Sequence, residues 1–214
     1  MTTQPTAMHP ADPAMERPSL DVSRLPESAF GNRGIVWWGT VGFMISEAMT
    51  LAVAASAYLY LRGNEESWPP PPTPLPDLLI PTINMVVLLL AIYPMVRAKR
   101  CALQFDKRGT GIWMMVEGLF GITATVLRGL EFFAVHTKWD EDAYGSLVFF
   151  ILGLHATLII ADMVEGLAIG SIFFTDRCEP KHYSDVEDAA LYKWFLVLIW
   201  IPLYFLIYIS PRVM

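Results

Sequence analysis

Six ionisable residues sit inside long apolar stretches of this 214-residue chain: Glu47, Glu117, Arg128, Glu131, His155 and Asp162. A seventh, Glu165, lies nearer the end of its stretch. Carboxylates, a guanidinium and an imidazole either move protons or lock helices together as ion pairs. At membrane depth such groups are expensive and face protein or water rather than lipid. Arg128 and Glu131 are spaced i, i+3 and therefore share one helix face. At about 100° per residue, Glu117 falls within roughly 60° of both. That polar stripe reads either as an Arg–carboxylate clamp that fixes packing or as part of an ion path. His155 and Asp162, seven residues apart, share a face of a second helix. Gly166 and Gly170 beside them form a small-xxx-small step that permits close helix contact.

The inventory for other chemistry is thin. Haem or copper takes several His, Met or Cys ligands, yet of the four histidines (9, 136, 155, 182) only His155 lies at that depth. The 11 methionines are scattered and read as packing residues. Cys101 and Cys178 cannot make a zinc or iron–sulfur motif by themselves. No Gly-rich phosphate loop or G-x-S-x-G elbow occurs. The expectation is a chain with no catalytic residue, no metal and no cofactor of its own. A net charge of −6 offers no electrostatic case for nucleic acid.

The elements that must position these residues are membrane spans. The chain is 54% hydrophobic and 17% charged, against about 25% charged in a soluble domain, and its mean hydropathy is +0.43. A span needs about 20 apolar residues, and five such stretches predict helices at 34–62, 77–98, 109–135, 144–174 and 189–210. The predicted fold class is all-α, a polytopic bundle of five transmembrane helices over 34–214, preceded by a polar, Pro-rich tail over 1–33. Trp37, Trp38, Trp68, Trp113, Trp139, Trp194 and Trp200 fall at or near predicted helix ends, where aromatic rings suit the headgroup layer. With the N-terminus cytoplasmic, 11 of the 15 Lys and Arg fall on the inner side, Lys193 among them, 3 fall outside and Arg128 lies within a helix. This bias predicts an inside N-terminus and an outside C-terminus. The run Trp68-Pro-Pro-Pro-Pro-Thr-Pro-Leu-Pro76 predicts a rigid polyproline cap between the first two helices. Glu47 is 13 residues into its helix, about 20 Å, and His155 is 11 into its own from the other side, about 16 Å. The two share a depth and can hydrogen-bond if their helices touch.

The order of short motifs carries a resemblance. Ile45-Ser46-Glu47 is followed by Trp68-Pro69-Pro70, Asn84, Leu130-Glu131-Phe132, Tyr144-Gly145-Ser146, Gly153-Leu154-His155, Tyr192 and Trp200. Over about residues 34–210 this resembles subunit III of the haem–copper cytochrome c oxidases, in a five-helix form. Three positions depart from the family. Leu158 replaces a second histidine, Asp162 replaces a glycine, and Lys193-Trp194-Phe195-Leu196-Val197 replaces a Trp-His-Phe-x-Asp run. The resemblance implies a V-shaped accessory subunit, with helices one and two in one arm and lipid in the cleft. It implies partnership with the haem- and copper-bearing catalytic subunit I and other oxidase subunits, which reduce oxygen and pump protons, and bound phospholipid in a bacterial-type cell membrane. Support of proton uptake and protection of the catalytic subunit follow from it. Glu47, His155 and Glu131 carry over as proton-uptake or lipid-cleft positions, whereas Glu117, Arg128 and Asp162 are peculiar to this chain. The alternatives are a related subunit of a nitric oxide reductase and a stand-alone transporter. No internal repeat favours the latter.

Overall fold

A hydrated backbone amide has no place in hydrocarbon, so each apolar stretch satisfies its own N–H and C=O groups by forming helix. The computed structural model describes residues 34–213. Five helices there are long and apolar enough to cross a membrane. They are α1 (Ile35–Asn64), α2 (Leu79–Leu103), α3 (Lys107–Ala134), α4 (Ala143–Ile172) and α5 (Lys181–Tyr204). α5 continues through a π turn at Phe205–Ile209 into α6 (Ser210–Val213). The described residues hold no strand, and the chain is an all-helical, multi-pass membrane protein. The predicted 1–33 tail, with His9, Arg17, Arg24 and Arg33, lies outside the described residues, as does Met214.

Helix starts follow local chemistry. Asp106 caps α3 by accepting from Gly109 N at 3.1 Å, and Asp142 caps α4 by accepting from Gly145 N at 2.5 Å. Two boundaries differ from the prediction. α5 begins at Lys181, eight residues before position 189, and α2 runs to Leu103, five beyond position 98. The first turns of α5 carry Lys181, His182, Asp185, Glu187 and Asp188. Hydropathy marks the immersed part of a helix, not the polar turns that project beyond it.

α2 packs along α3, α3 along α4, α4 along α5, and α5 back along α2, so these four close on one another. α1 rests beside them and buries only Leu51, Ala54 and Tyr58. Its partners lie on α4, α5 and α6: Phe43 against Tyr192 at 5.9 Å, Tyr58 against Tyr144 at 6.2 Å, and Arg62 donating to Ser210 at 2.5 Å. The expected pairing of helices one and two as a separate arm is therefore replaced by a four-helix group with α1 at its side. The α3–α4 seam is close: a Cβ at Gly118 would collide with the Leu167 side chain, and one at Gly166 with the Glu117 carboxyl.

The loops sort to two ends. At one end Trp68 packs edge-on to Tyr58 and Tyr144, both at 5.2 Å, and His136 Nε2 meets Asp77 Oδ2 at 3.0 Å. The proline run folds back through a turn, Thr73 N–H donating to Pro70 O at 3.0 Å, instead of staying extended throughout. At the other end Lys107 donates to Thr175 O at 2.7 Å and Lys99 pairs with Glu187 at 3.2 Å.

Candidate functional site

The polar residues inside the bundle gather in two places. The first joins four helices around Arg128. Its guanidinium pairs with Glu131 on the next turn of α3, as the i, i+3 spacing requires. It also bonds to His155 Nδ1 on α4 at 2.9 Å. His155 Nε2 lies 3.1 Å from Leu196 O on α5. A carbonyl only accepts and a guanidinium only donates, so the imidazole is the neutral Nε2–H tautomer, fixed at both nitrogens. From α2, Asn84 Nδ2 donates to Glu131 Oε1 at 3.0 Å. Trp200 closes the cluster. The Arg128 guanidinium carbon stands 3.8 Å from its ring centroid and His155 stacks on it at 4.4 Å. Arg128, Glu131, His155 and Trp200 are all buried. One cation faces one anion, and the remaining partners are neutral.

The second cluster lies 11 residues toward the start of α3, about 16 Å along the helix. Lys193 of α5 contacts Glu117 of α3 and Asp162 of α4, and all three side chains are at most 3% exposed. Lys193 lies on the face of α5 that also buries Ala189, Leu196, Val197 and Trp200. Here one cation faces two acids.

These contacts sort the predicted residues. Arg128 and Glu131 form the expected pair, but Glu117 does not join them; it belongs with Lys193. Lys193 is not a loop cation but a buried one: it stands just inside the apolar stretch, where its position in sequence alone groups it with the polar flank. The legible signal was the i, i+3, i+7 register of Lys193 with Leu196 and Trp200. Trp200 is fully buried rather than at the headgroup level, whereas Trp38 and Trp139 are exposed by 50% and 66%. Glu47 does not reach His155, whose two ring nitrogens are engaged elsewhere. Glu47 is half-buried on α1 and lies within electrostatic reach of Tyr192. Among the described residues no three His, Cys, Asp or Glu side chains are grouped to hold a metal ion.

Comparison with known proteins covers both clusters. A family model described as "Cytochrome c oxidase subunit III" matches residues 28–211. A Synechocystis protein named cytochrome c oxidase subunit 3 is 27% identical over 198 residues, spanning 89% of this chain and 83% of its own. One of that name from Thermostichus vulcanus is 27% identical over 179 residues, 81% of this chain and 87% of its own. One from Rattus norvegicus is 28% identical over 187 residues, 80% and 68% respectively.

Proposed function

This chain belongs to the cytochrome c oxidase subunit III family, and on that premise we propose that it is the accessory subunit, without a redox centre, of a haem–copper terminal oxidase. The carrying observation is a family match that runs from before α1 to within α6 and so includes every span. In this reading the chain packs beside catalytic subunit I, which holds the haems and copper and reduces oxygen with proton pumping. The membrane is a bacterial-type cell membrane, with the N-terminus in the cytoplasm and the C-terminus outside.

Glu47 is the proton-uptake position. It is a half-buried carboxylate of α1 that lies within electrostatic reach of Tyr192 on α5. His155 and Glu131 act by holding the four-helix group in shape, since their polar atoms are committed to Arg128, Leu196 and Asn84. A groove of about 300 Å³ between α1 and α5, lined by Ala48, Leu51, Ala55, Ile199 and Leu203, suits an acyl chain and supports bound phospholipid.

Affinity purification of the tagged chain from its native membrane tests the reading. The expected result is co-purification with haem-bearing subunits and oxygen consumption that inhibitors of terminal oxidases abolish. A chain that travels alone, or with a complex that consumes nitric oxide and not oxygen, overturns it.

A further inference from the structure

The Lys193 cluster has more acid than base. Lys193 Nζ contacts Oε1 of Glu117 and Oδ2 of Asp162, away from water. With all three ionised the cluster would hold one unbalanced negative charge in an apolar seam, an arrangement that buried ion pairs avoid. Both carboxyl groups thus converge on the same Nζ atom of Lys193. Ionised carboxylates only accept, and one ammonium balances only one of them, so a proton on the other brings the cluster to neutrality. Glu117 Oε2, fully buried, faces the bare backbone of Gly166 and finds no hydrogen-bond donor among the described residues. Oε1 thus faces Lys193 while Oε2 keeps acceptor capacity to spare.

α4 carries a further acid on the same side, since residues three apart on a helix are neighbours. Glu165, one turn beyond Asp162, is exposed and lines a groove of about 380 Å³ with Thr40 and Phe43 of α1, Ala161 of α4 and Tyr192 of α5. Asp185 and Asp188, in the polar first turns of α5, bear electrostatically on Glu165, and Asp162 does so from within. Tyr192 stands among Asp162, Glu165 and Glu47 of α1. On α2, Arg97 lies over Trp113 at 5.3 Å, Lys99 pairs with Glu187, and Arg100 is exposed in the last turn.

We propose that Glu117 and Asp162 share one exchangeable proton beside Lys193, loaded by way of Glu165 from the end of the bundle that bears Asp185 and Asp188. Loading forms one O–H bond on a carboxyl oxygen at the expense of a hydronium ion or water; no electron moves. The proton brings the cluster to neutrality. The site needs only residues of this chain and stands whether or not the subunit serves an oxidase.

Infrared spectroscopy of the full chain, alone or in its native complex, tests this. The wild type should show one carboxylic-acid C=O band at neutral pH that shifts on transfer to D2O. Glu117→Gln and Asp162→Asn should each abolish or move that band, while Glu47→Gln and Glu131→Gln leave it in place. Glu165→Gln should slow the D2O shift at least several-fold. A band unchanged in both Glu117→Gln and Asp162→Asn overturns the shared proton, and a D2O shift of unaltered rate in Glu165→Gln overturns the route. If neither cluster variant accumulates, the wild type decides: absence of any protonated carboxyl band at neutral pH overturns the proposal.

Discussion

The two buried clusters use the same elements differently. Around Arg128 the charges balance one to one, and the spare hydrogen-bonding capacity goes to neutral groups: Asn84, His155 and the Trp200 face. A guanidinium is planar, forked and weakly hydrated, and it can pair, donate and stack at once. Around Lys193 a compact ammonium meets two carboxyls and, among the described residues, has no aromatic platform. The first arrangement admits a single charge state and behaves as a lock across α2, α3, α4 and α5. The second has one acid too many, so its charge depends on a proton. The α3 backbone carries both, about 16 Å apart, so local sequence character does not distinguish them. What distinguishes them is what α4 and α5 bring to the seam: His155 and Trp200 at Arg128, Asp162 and Lys193 at Glu117.

The largest effect should come from the lock. Arg128→Leu strands a buried Glu131 and removes the donor to His155, and should lower stability by about 3–5 kcal/mol, read as loss of accumulated subunit or of its thermal midpoint in detergent. Arg128→Leu with Glu131→Leu should cost less than the sum of the two; additivity would mean that the pair does not interact. Lys193→Met should cost less, on the order of 2 kcal/mol, because the two remaining carboxyls can hydrogen-bond each other when protonated. A loss equal to that of Arg128→Leu would erase the distinction between the clusters. Gly166→Ala pushes a methyl group at the Glu117 carboxyl and should cost about 1–3 kcal/mol. Glu117→Ala in the same chain should recover part of that loss, and no recovery would place the clash elsewhere. Combining Glu117→Gln with Arg128→Leu should be additive within about 0.5 kcal/mol, since the two residues share no partner. Any larger coupling would merge the clusters into one network. The smallest effect belongs outside both: Glu47→Gln should leave stability within about 0.5 kcal/mol of wild type, and a larger loss would show that α1 depends on that carboxyl for its packing.

What could be read from the chain alone was whatever a single helix decides. The five spans follow from apolar length, because lipid forces each stretch to satisfy its own backbone. The Arg128–Glu131 pair follows from a rise of 1.5 Å and a turn of about 100° per residue, which place i and i+3 together wherever the helix sits. The same rule put Glu117 on that face, and correctly so, but a shared face covers a broad arc and 11 residues of depth. Glu117 and Arg128 stand about 16 Å apart along one helix whatever the packing, and whether Glu117 meets Lys193 depends on how α4 sits on α3 and how α5 sits on α4. Those two quantities are settled by side-chain packing over the whole seam, such as Gly118 against Leu167 and Gly166 against Glu117. Likewise the partner of His155 could not be chosen by matching its depth to Glu47, because depth says nothing of which helices are neighbours; α1 lies beside the group, and α3 supplies the guanidinium. Lys193 and Trp200 sit in a stretch whose hydropathy marks where the membrane begins, while their burial is fixed by the face of α5 that α3 and α4 cover. Periodicity within a helix is a covalent property of the chain, whereas pairing between helices is decided by packing, which tertiary contact alone resolves.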